Sequence, residues 1–305
     1  MRLTIYTPAY NKGDTLNRTF ESLVKQTNHN FEWILINDGS TDQTDSIVKQ
    51  FKNPPFKWKY INKKNEGLSS VMNLAAKECK TEFILRLDAD DYLTPEAVQT
   101  ILEHLDDSEV KSPNIAALVF LTCYSDGKIC GYHPFSSNFI CNFWDYRFKY
   151  KAIGDRAEVF KNKVFSQYPM PVFKDERFCS EGYTWNKISD SYDAIYYTDT
   201  IYIRDYVENS ITTLGAQVRI KNPKGEQLIL ADILNRKIPL KIFIKVSTLY
   251  YRYSLHTNYS LKKLVMDIPL LATVIGIIPG SILYLIEKHD KTFVNKISKL
   301  PKLAY

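Results

Sequence analysis

The sequence predicts an α/β domain, a mostly parallel sheet with helices on both faces, followed by a helical tail that is both apolar and basic. Three observations carry this. Short apolar runs alternate with helix-periodic segments through the first half of the chain. Asp, Asn, Gly and Ser gather where each run ends, which is the chemistry of tight turns. Beyond about Gly215 the alternation stops, and residues 216–305 hold 15 Lys and Arg against five Asp and Glu, a balance of +10.

The elements follow in order. Leu3 to Thr7 reads as a strand and Leu16 to Gln26 as an amphipathic helix. Glu32 to Ile36 is a second strand, and Asp42 to Phe51 a helix with Asp42 at its N-cap. Trp58 to Ile61 is a third strand. Ser69 to Cys79 is a helix, with Val71, Leu74, Ala75 and Cys79 at helical spacing. Phe83 to Leu87 is the fourth strand. Thr94 and Pro95 then supply an N-cap and a first-turn proline for a helix to Leu105. Ile115 to Thr122 is a fifth strand. Strands separated by helices pair in parallel, with right-handed crossovers. Residues 125–215 are less regular and rich in aromatics, as suits sheet edges and substrate-shaping loops, with one or two late strands in Ala194 to Arg204. The expected division is therefore a domain of residues 1–215, in halves 1–105 and 106–215, and a tail of residues 216–305.

The chain of 305 residues accommodates one large domain or one domain with an appendage. Its five cysteines, at 79, 123, 130, 141 and 179, have no Cys-x-x-Cys spacing, which favours reduced thiols in the cytoplasm over a disulfide framework. The five His residues are equally scattered, against a zinc site. The chain opens at once in a strand, so no secretory leader is expected. Net charge is +6, and the basic excess belongs to the tail, the most apolar part of the chain. That combination points to an anionic membrane surface and away from nucleic acid. Ile268 to Ile286 is a stretch of nineteen residues without a charge, about enough to cross a bilayer. Pro269, Gly276, Pro279 and Gly280 interrupt it, and Lys262, Lys263, Lys288 and Lys291 flank it. A single span, a broken hairpin, helices in the interface and a buried helical subdomain all stay open. Association through residues 239–291 with the inner face of the cell membrane is the expectation.

The densest chemistry is Asp88-Ala89-Asp90-Asp91, placed directly after an apolar strand. Open α/β sheets bind ligands at the carboxyl ends of their strands. Three acids in four positions repel one another unless a cation or hydrogen-bond donors offset the charge. A hard divalent ion, Mn²⁺ or Mg²⁺, carrying substrate phosphates is the natural partner. An EF-hand does not fit: counted from Asp88, Leu93 stands where Gly is needed and Gln99 where Glu is needed.

Three further segments fall at predicted strand ends: Thr7-Pro8-Ala9-Tyr10-Asn11, Asn37-Asp38-Gly39-Ser40-Thr41-Asp42 and Asn65-Glu66-Gly67-Leu68-Ser69. Each alone is an ordinary turn. Together on one sheet edge they make what a nucleotide site needs. Asp38 is an acceptor suited to a base imide or a ribose hydroxyl. Tyr10 is placed to stack on a base, with Thr7 and Pro8 shaping the wall beside it. Asn65 and Gly67 allow close backbone approach to ribose or phosphate. Asp88 is expected at the ribose, and Asp90 at the metal, with Asp88 and Asp91 as further ligands.

These four segments resemble those of the family 2 glycosyltransferases of the GT-A fold, over roughly residues 1–105. The resemblance implies inverting transfer of a sugar from a nucleotide diphosphate, usually UDP, with Mn²⁺ or Mg²⁺. It maps the family's Asp-x-Asp to Asp88, Ala89 and Asp90, and its base-reading aspartate to Asp38. Two departures stand out. Where many members have Ala-Arg-Asn, this chain has Val71-Met72-Asn73. Where the family often has Glu-Asp late in the domain, this chain has Glu181-Gly182. Inversion needs a general base within reach of the acceptor hydroxyl. Glu181 is the first choice, with Asp175 and Glu176 as alternatives. Trp185 and Tyr183 nearby could stack on a sugar ring. Arg204 to Thr212, with Asp205, Glu208, Asn209 and Ser210, suits a loop over the donor. The expected function is a bacterial-type, membrane-associated transfer to a lipid-linked oligosaccharide or growing surface polysaccharide. A nucleotide-sugar-binding module without a competent base is the alternative.

Overall fold

The structure, a computed structural model, describes residues 1–205, 215–257 and 259–289. Two compact units divide these residues: 1–169 with 184–205, and 170–183 with 215–289.

The first unit is built in the order β1 (Leu3–Ala9), α1 (Leu16–Val24), β2 (Phe31–Asn37), α2 (Thr44–Val48), β3 (Lys57–Asn62), α3 (Leu68–Glu78), β4 (Phe83–Arg86), β5 (Tyr92–Leu93) and α4 (Ala97–His104). There follow β6 (Ile115–Tyr124), β7 (Phe139–Cys141), α5 (Phe143–Phe148), β8 (Arg156–Lys161), α6 (Asn162–Phe165), α7 (Gly182–Ile188) and β9 (Asp193–Arg204). The strands form one sheet in the order β3-β2-β1-β4-β8-β6-β9-β5, with β7 also on β9. Pairing is parallel among β1 to β4, as the strand–helix alternation predicts. The sheet as a whole is mixed, because β8 enters antiparallel to both β4 and β6. The sequence signal for β8 is the period-two run Arg156-Ala157-Glu158-Val159, whose apolar positions alternate with charges.

β1 lies between β2 and β4, so the chain leaves it toward one side of the sheet and later returns to the other. That is the switch point at which α/β sheets open a crevice beyond their carboxyl ends. Leu3, Thr4, Ile5 and Tyr6 are all buried, the mark of a parallel strand covered on both faces. Pro8 has no N–H for a ladder, and it lies past the last β1–β4 pair, Tyr6 with Arg86. An aromatic cluster welds α1 to the sheet edge. Trp33 of β2 stacks on Trp58 of β3 at 5.7 Å, and Phe20 of α1 on Phe51 at 3.9 Å. The Trp33 indole N–H donates to Thr7 Oγ1 at 2.9 Å.

The second unit is helical: α8 (Ala216–Lys221), α9 (Pro223–Leu234), α10 (Leu240–Ser254), α11 (Leu261–Met266) and α12 (Leu270–His289). Residues 170–183 join these helices because Glu176 caps α9, accepting from the N–H groups of Lys224 at 2.7 Å and Gly225 at 2.9 Å. The Asn222 side chain accepts from Arg177 N–H at 2.7 Å in the same knot. Tyr250 accepts from Gln227 at 3.0 Å and donates to the Leu264 carbonyl at 2.9 Å, tying α9, α10 and α11 together.

The uncharged stretch is one continuous helix, α12, which passes through Pro279 without breaking into a hairpin. Its glycines set the packing. A Cβ at Gly276 would stand 2.3 Å from the Ser247 carbonyl oxygen, and one at Gly280 2.6 Å from that of Thr248. Beside them Arg252 of α10 is ion-paired with Glu287 of α12, both buried, and His256 lies 3.3 Å from the other carboxylate oxygen. Burial opposes the Glu287 charge, but the bonds from His256 and Arg252 prevail and hold its carboxyl below the usual range.

Glu287→Gln leaves a buried guanidinium without its carboxylate and is expected to cost the helical unit about 3–5 kcal/mol in denaturant unfolding. Because the folded pKa of Glu287 is depressed, its contribution is full above the unfolded carboxylate value and fades as pH falls through the folded one. The wild-type protein should therefore lose more stability than the variant on acidification below about pH 4.5; equal acid profiles would contradict the pairing.

Candidate active site at the carboxyl edge of the sheet

The β2 end is organised by Asp38. Its N–H donates to the Ala9 carbonyl at 2.8 Å, which ties the β1 and β2 ends together. The side chain is only 4% exposed, and its two oxygens accept from Glu66 N–H at 3.0 Å, Gly67 N–H at 2.7 Å and Lys63 Nζ at 2.8 Å. Asp38 thus shapes the Asn65-Glu66-Gly67 loop at the start of α3. Gly67, with φ of 90°, is the residue before α3. Gly39, at φ of 71°, could not carry a Cβ, which would stand 2.7 Å from Asn65 N. In this loop Asn65 Oδ1 and Ser69 Oγ are buried with no hydrogen-bond partner among the described residues. Orphaned buried polar atoms are rare in folded proteins and mark places where water or a ligand completes the bonding.

Asn11 staples the first loop to the second. Its backbone takes φ of 51°, its N–H donates to Ser40 Oγ at 2.9 Å, and its Oδ1 accepts from Thr41 N–H at 2.8 Å. Asp42 accepts from Gly13 N–H at 3.0 Å and from Thr44 N–H at 3.0 Å. Burial raises its carboxyl, but the bonds from Thr44 and Gly13 outweigh that and keep it below the ordinary value.

The acid turn after β4 is held from both sides. From α1 and the loop before it, Lys12 Nζ pairs with Asp90 Oδ2 at 2.5 Å, Thr15 donates to the Ala89 carbonyl at 2.8 Å, and Arg18 donates to the Asp90 carbonyl at 2.5 Å. Arg18 also pairs with Asp205. From β4 itself, Arg86 Nε lies 3.1 Å from Asp88 Oδ1. From β9, the Tyr202 hydroxyl accepts from Asp88 N–H at 3.0 Å and donates to Asp91 Oδ2 at 3.0 Å. Asp205 N–H donates to Asp91 Oδ1 at 3.2 Å, and Arg204 Nε stands 3.5 Å from Asp91 Oδ2. Burial, then the charge of Asp88, push the Asp91 carboxyl up to about 7.

The residues expected at a donor site therefore separate into groups. Tyr10, 47% exposed, and Pro8, half-buried, stand at the edge where a ring could lie. Thr7 does not line a wall: it is fully buried and bonded to Trp33, because β1 is covered on both faces. Ala89 is buried as well. Asp91 is no open ligand, since its carboxylate is spent on β9. Asp88 and Asp90 keep partly exposed side chains, at 23% and 17%. Among the described residues no group of three or more His, Cys, Asp or Glu converges to hold a metal ion. The donor chemistry nonetheless fits a hard ion, which commonly takes one or two carboxylates and leaves its other positions to water and phosphate. The Lys12 ammonium is a cation already seated on Asp90.

Reasoning from sequence missed Lys12, Arg18, Arg86 and Tyr202. Where the resembling family often has arginine this chain has Met72, and the guanidinium of Arg86 stands 4.0 Å from its sulfur. No local pattern could have brought Tyr202 to the turn, since 111 positions separate it from Asp91.

Of the proposed bases, Glu181 lies in the turn entering α7, half-buried. Glu176 is the buried cap of α9, and Asp175 is exposed, 3.3 Å from Lys224. All three belong to the second unit, the strand-end residues to the first. Arg156 is buried and donates to the Tyr146 hydroxyl and to the carbonyls of Cys130 and Tyr132. Trp185 packs against Phe160 at 4.6 Å, as a core aromatic. Glu208, Asn209 and Ser210, expected in a loop over the donor, lie outside the described residues.

The strand order, the switch point at β1 and the acid turn at the end of β4 define a GT-A domain. Residues 4–152 match the model of the family described as Glycosyl transferase family 2, and this domain belongs to that family. Chondroitin synthase of Escherichia coli is 38% identical over 102 residues, 33% of this chain and 15% of that protein. The chain thus spans only a small part of such curated relatives. Among solved structures, S. aureus TarS 1-349 in complex with UDP-GlcNAc superposes with a TM-score of 0.61 at 16% identity, covering 98% of this chain and 90% of that one. The mannosyltransferase PcManGT from Pyrobaculum calidifontis, in complex with GDP-Man and Mn2+, gives 0.57 at 16% identity, covering 97% and 84%. At that identity these two show the fold.

Asp38→Ala removes the acceptor of three hydrogen bonds and leaves Lys63 with Glu66 as its one carboxylate partner among the described residues. A loss of about 3 kcal/mol is expected, read as a melting temperature lower by roughly 6–12 °C for a domain of this size. A variant as stable as the wild type would show that the Asn65 loop holds itself.

Proposed function

We propose that the chain is an inverting glycosyltransferase that moves a sugar from a nucleotide-diphosphate donor, a UDP-sugar, to a hydroxyl of a lipid-linked oligosaccharide or growing surface polysaccharide at the inner face of the cell membrane. One observation carries this reading. Four strand-end segments meet on one edge of the sheet, with an acid turn on one side of β1 and a loop bearing two orphaned polar atoms on the other. The UDP-GlcNAc complex of TarS and the GDP-mannose complex of PcManGT, which share the fold, support a nucleotide-sugar donor.

In this reading Tyr10 and Pro8 flank the base. Asp38 retains acceptor capacity beyond its three bonds, since a carboxylate offers about four lone-pair sites. Asn65 Oδ1 accepts from a ribose hydroxyl, and the Ser69 hydroxyl bonds a ribose or phosphate oxygen. Asp88 accepts from ribose hydroxyls, and Asp90 with Asp88 holds Mn²⁺ or Mg²⁺. Such an ion would supply Lewis-acid neutralisation of the leaving diphosphate. Arg86, beside Met72, contributes the positive charge that the third helix lacks. Lys12, paired with Asp90, is a cation that would be available to the diphosphate if Asp90 held the ion. Glu181 is the proposed base, because Glu176 is consumed as a helix cap. Its follower Gly182 favours one other reading, a module that binds nucleotide sugar without transferring it.

Thermal melting with UDP, GDP, CMP and dTDP, with and without Mn²⁺, tests the donor site. A ligand at a hundred times its dissociation constant adds about 2.7 kcal/mol to the folded state. UDP is expected to raise the melting temperature only with Mn²⁺, and Asp90→Ala to abolish the rise; no shift with any nucleotide would defeat the proposal. Glu181→Gln should then keep the UDP shift and lower turnover at least a hundredfold. Binding with no turnover in the wild type would select the module instead.

A further inference from the structure

We infer that α12 lies in the plane of an anionic bilayer, held by its outer face, and does not cross it. This takes up the membrane side of the function proposed above and names the surface that performs it. The helix has two unlike faces. Ala272, Gly276, Gly280 and Glu287 are buried, at intervals of four, four and seven residues that keep one side of a helix. Leu270, Leu271, Val274, Ile278, Ile282 and Leu285 are exposed, each over more than half of the residue's surface, from 51% to 70%. A soluble chain rarely leaves so long an apolar stripe in water.

The inner face decides between crossing and lying flat. It is joined to α10 by the glycine contacts at Ser247 and Thr248, by the Tyr251 hydroxyl on Thr273 Oγ1 at 3.0 Å, and by the buried Arg252–Glu287 pair. Were α12 to span, α10 would enter the hydrocarbon beside it, carrying exposed Lys241 and Lys245. Charges at that depth are expensive. Were α12 to leave α10, Glu287 and Arg252 would each lose a partner and two glycine faces would be bared.

The surroundings identify the occupant. Lys241 and Lys245 on α10, Lys262 and Lys263 on α11, and Lys288 at the end of α12 are all exposed. On α10 the apolar Leu240 and Ile244 are exposed next to those lysines, so the same unit presents apolar and cationic side chains together. An apolar stripe accompanied by lysines complements acyl chains under anionic headgroups. A second copy of this chain would bring like charges together.

Sedimentation of the full chain with sealed vesicles tests this, using phosphatidylcholine alone and phosphatidylcholine with phosphatidylglycerol. Binding is expected with the anionic vesicles, weakened by salt, and reduced roughly tenfold or more in Val274→Glu with Ile278→Glu. That variant must keep its helical circular dichroism. Asp267→Cys and His289→Cys bracket α12, and all five native cysteines are buried. A membrane-impermeant maleimide added outside the vesicles should label both positions. Protection of one end alone would mean a spanning helix and overturn the inference. Absence of vesicle binding, or a dimer broken by the same substitutions, would overturn it equally. The UDP melting shift is read separately, so failure at the membrane leaves the donor site standing, and the converse.

Discussion

The first unit depends on the neutralisation of the acid turn Asp88–Asp91. Three carboxylates at the end of a buried strand would drive one another apart. The fold answers with cations and hydroxyls drawn from distant parts of the chain: Lys12 and Arg18 from around α1, Arg86 from β4, and Tyr202 and Arg204 from β9. These bonds fix where α1 begins and where β9 ends. They also divide the acids by role. Asp91 is drawn inward and bonded on both oxygens, whereas Asp88 and Asp90 keep partly exposed side chains, each paired with a cation.

The opposite side of β1 is arranged on different physics. There the organising group is one buried carboxylate, Asp38, whose oxygens collect backbone N–H groups and one ammonium. Backbone geometry does the rest. Gly39 and Asn65 approach so closely that no side chain fits between them, and Asn11 accepts a left-handed conformation in order to bond the neighbouring loop on both faces. The result is a closely bonded edge on which two buried polar atoms have no hydrogen-bond partner among the described residues. Preorganisation of this kind is what a site needs if binding is not to be spent on ordering loops.

The helical unit is built by a third device, small residues that let two helices touch at their backbones. Gly276 and Gly280 bring α12 onto α10, and the buried pair Arg252–Glu287 sets their register. Because the inner face is closed by close approach and not by bulky apolar side chains, the large residues of α12 are left on its outside. The hydropathy that makes the stretch read like a membrane span is therefore a property of one face, with 28% of its most apolar window buried.

The alternation of apolar runs and helical periods was enough to place β1 to β4 and the helices between them, because buried parallel strands are continuous apolar runs and need little else. The turn residues at their ends marked the edge that carries the candidate site. The segment from 125 to 205 was much less legible. β8 hid in a charged hexapeptide, and its antiparallel entry between β4 and β6 follows from pairing partners far apart in the chain. Residues 170–183 looked like part of the same domain, yet the Glu176 cap, the Asn222 side chain and the Asp175–Lys224 pair bind them to the start of α9. The sequence by itself determined the class of fold, the strand ends and the acids gathered there, since periodicity and turn chemistry are local. Only the tertiary structure decided which acids remain open, which cations attend them and which face of α12 is bare, because those depend on contacts such as Tyr202 with Asp91 and Gly276 with Ser247, between residues that no local pattern relates.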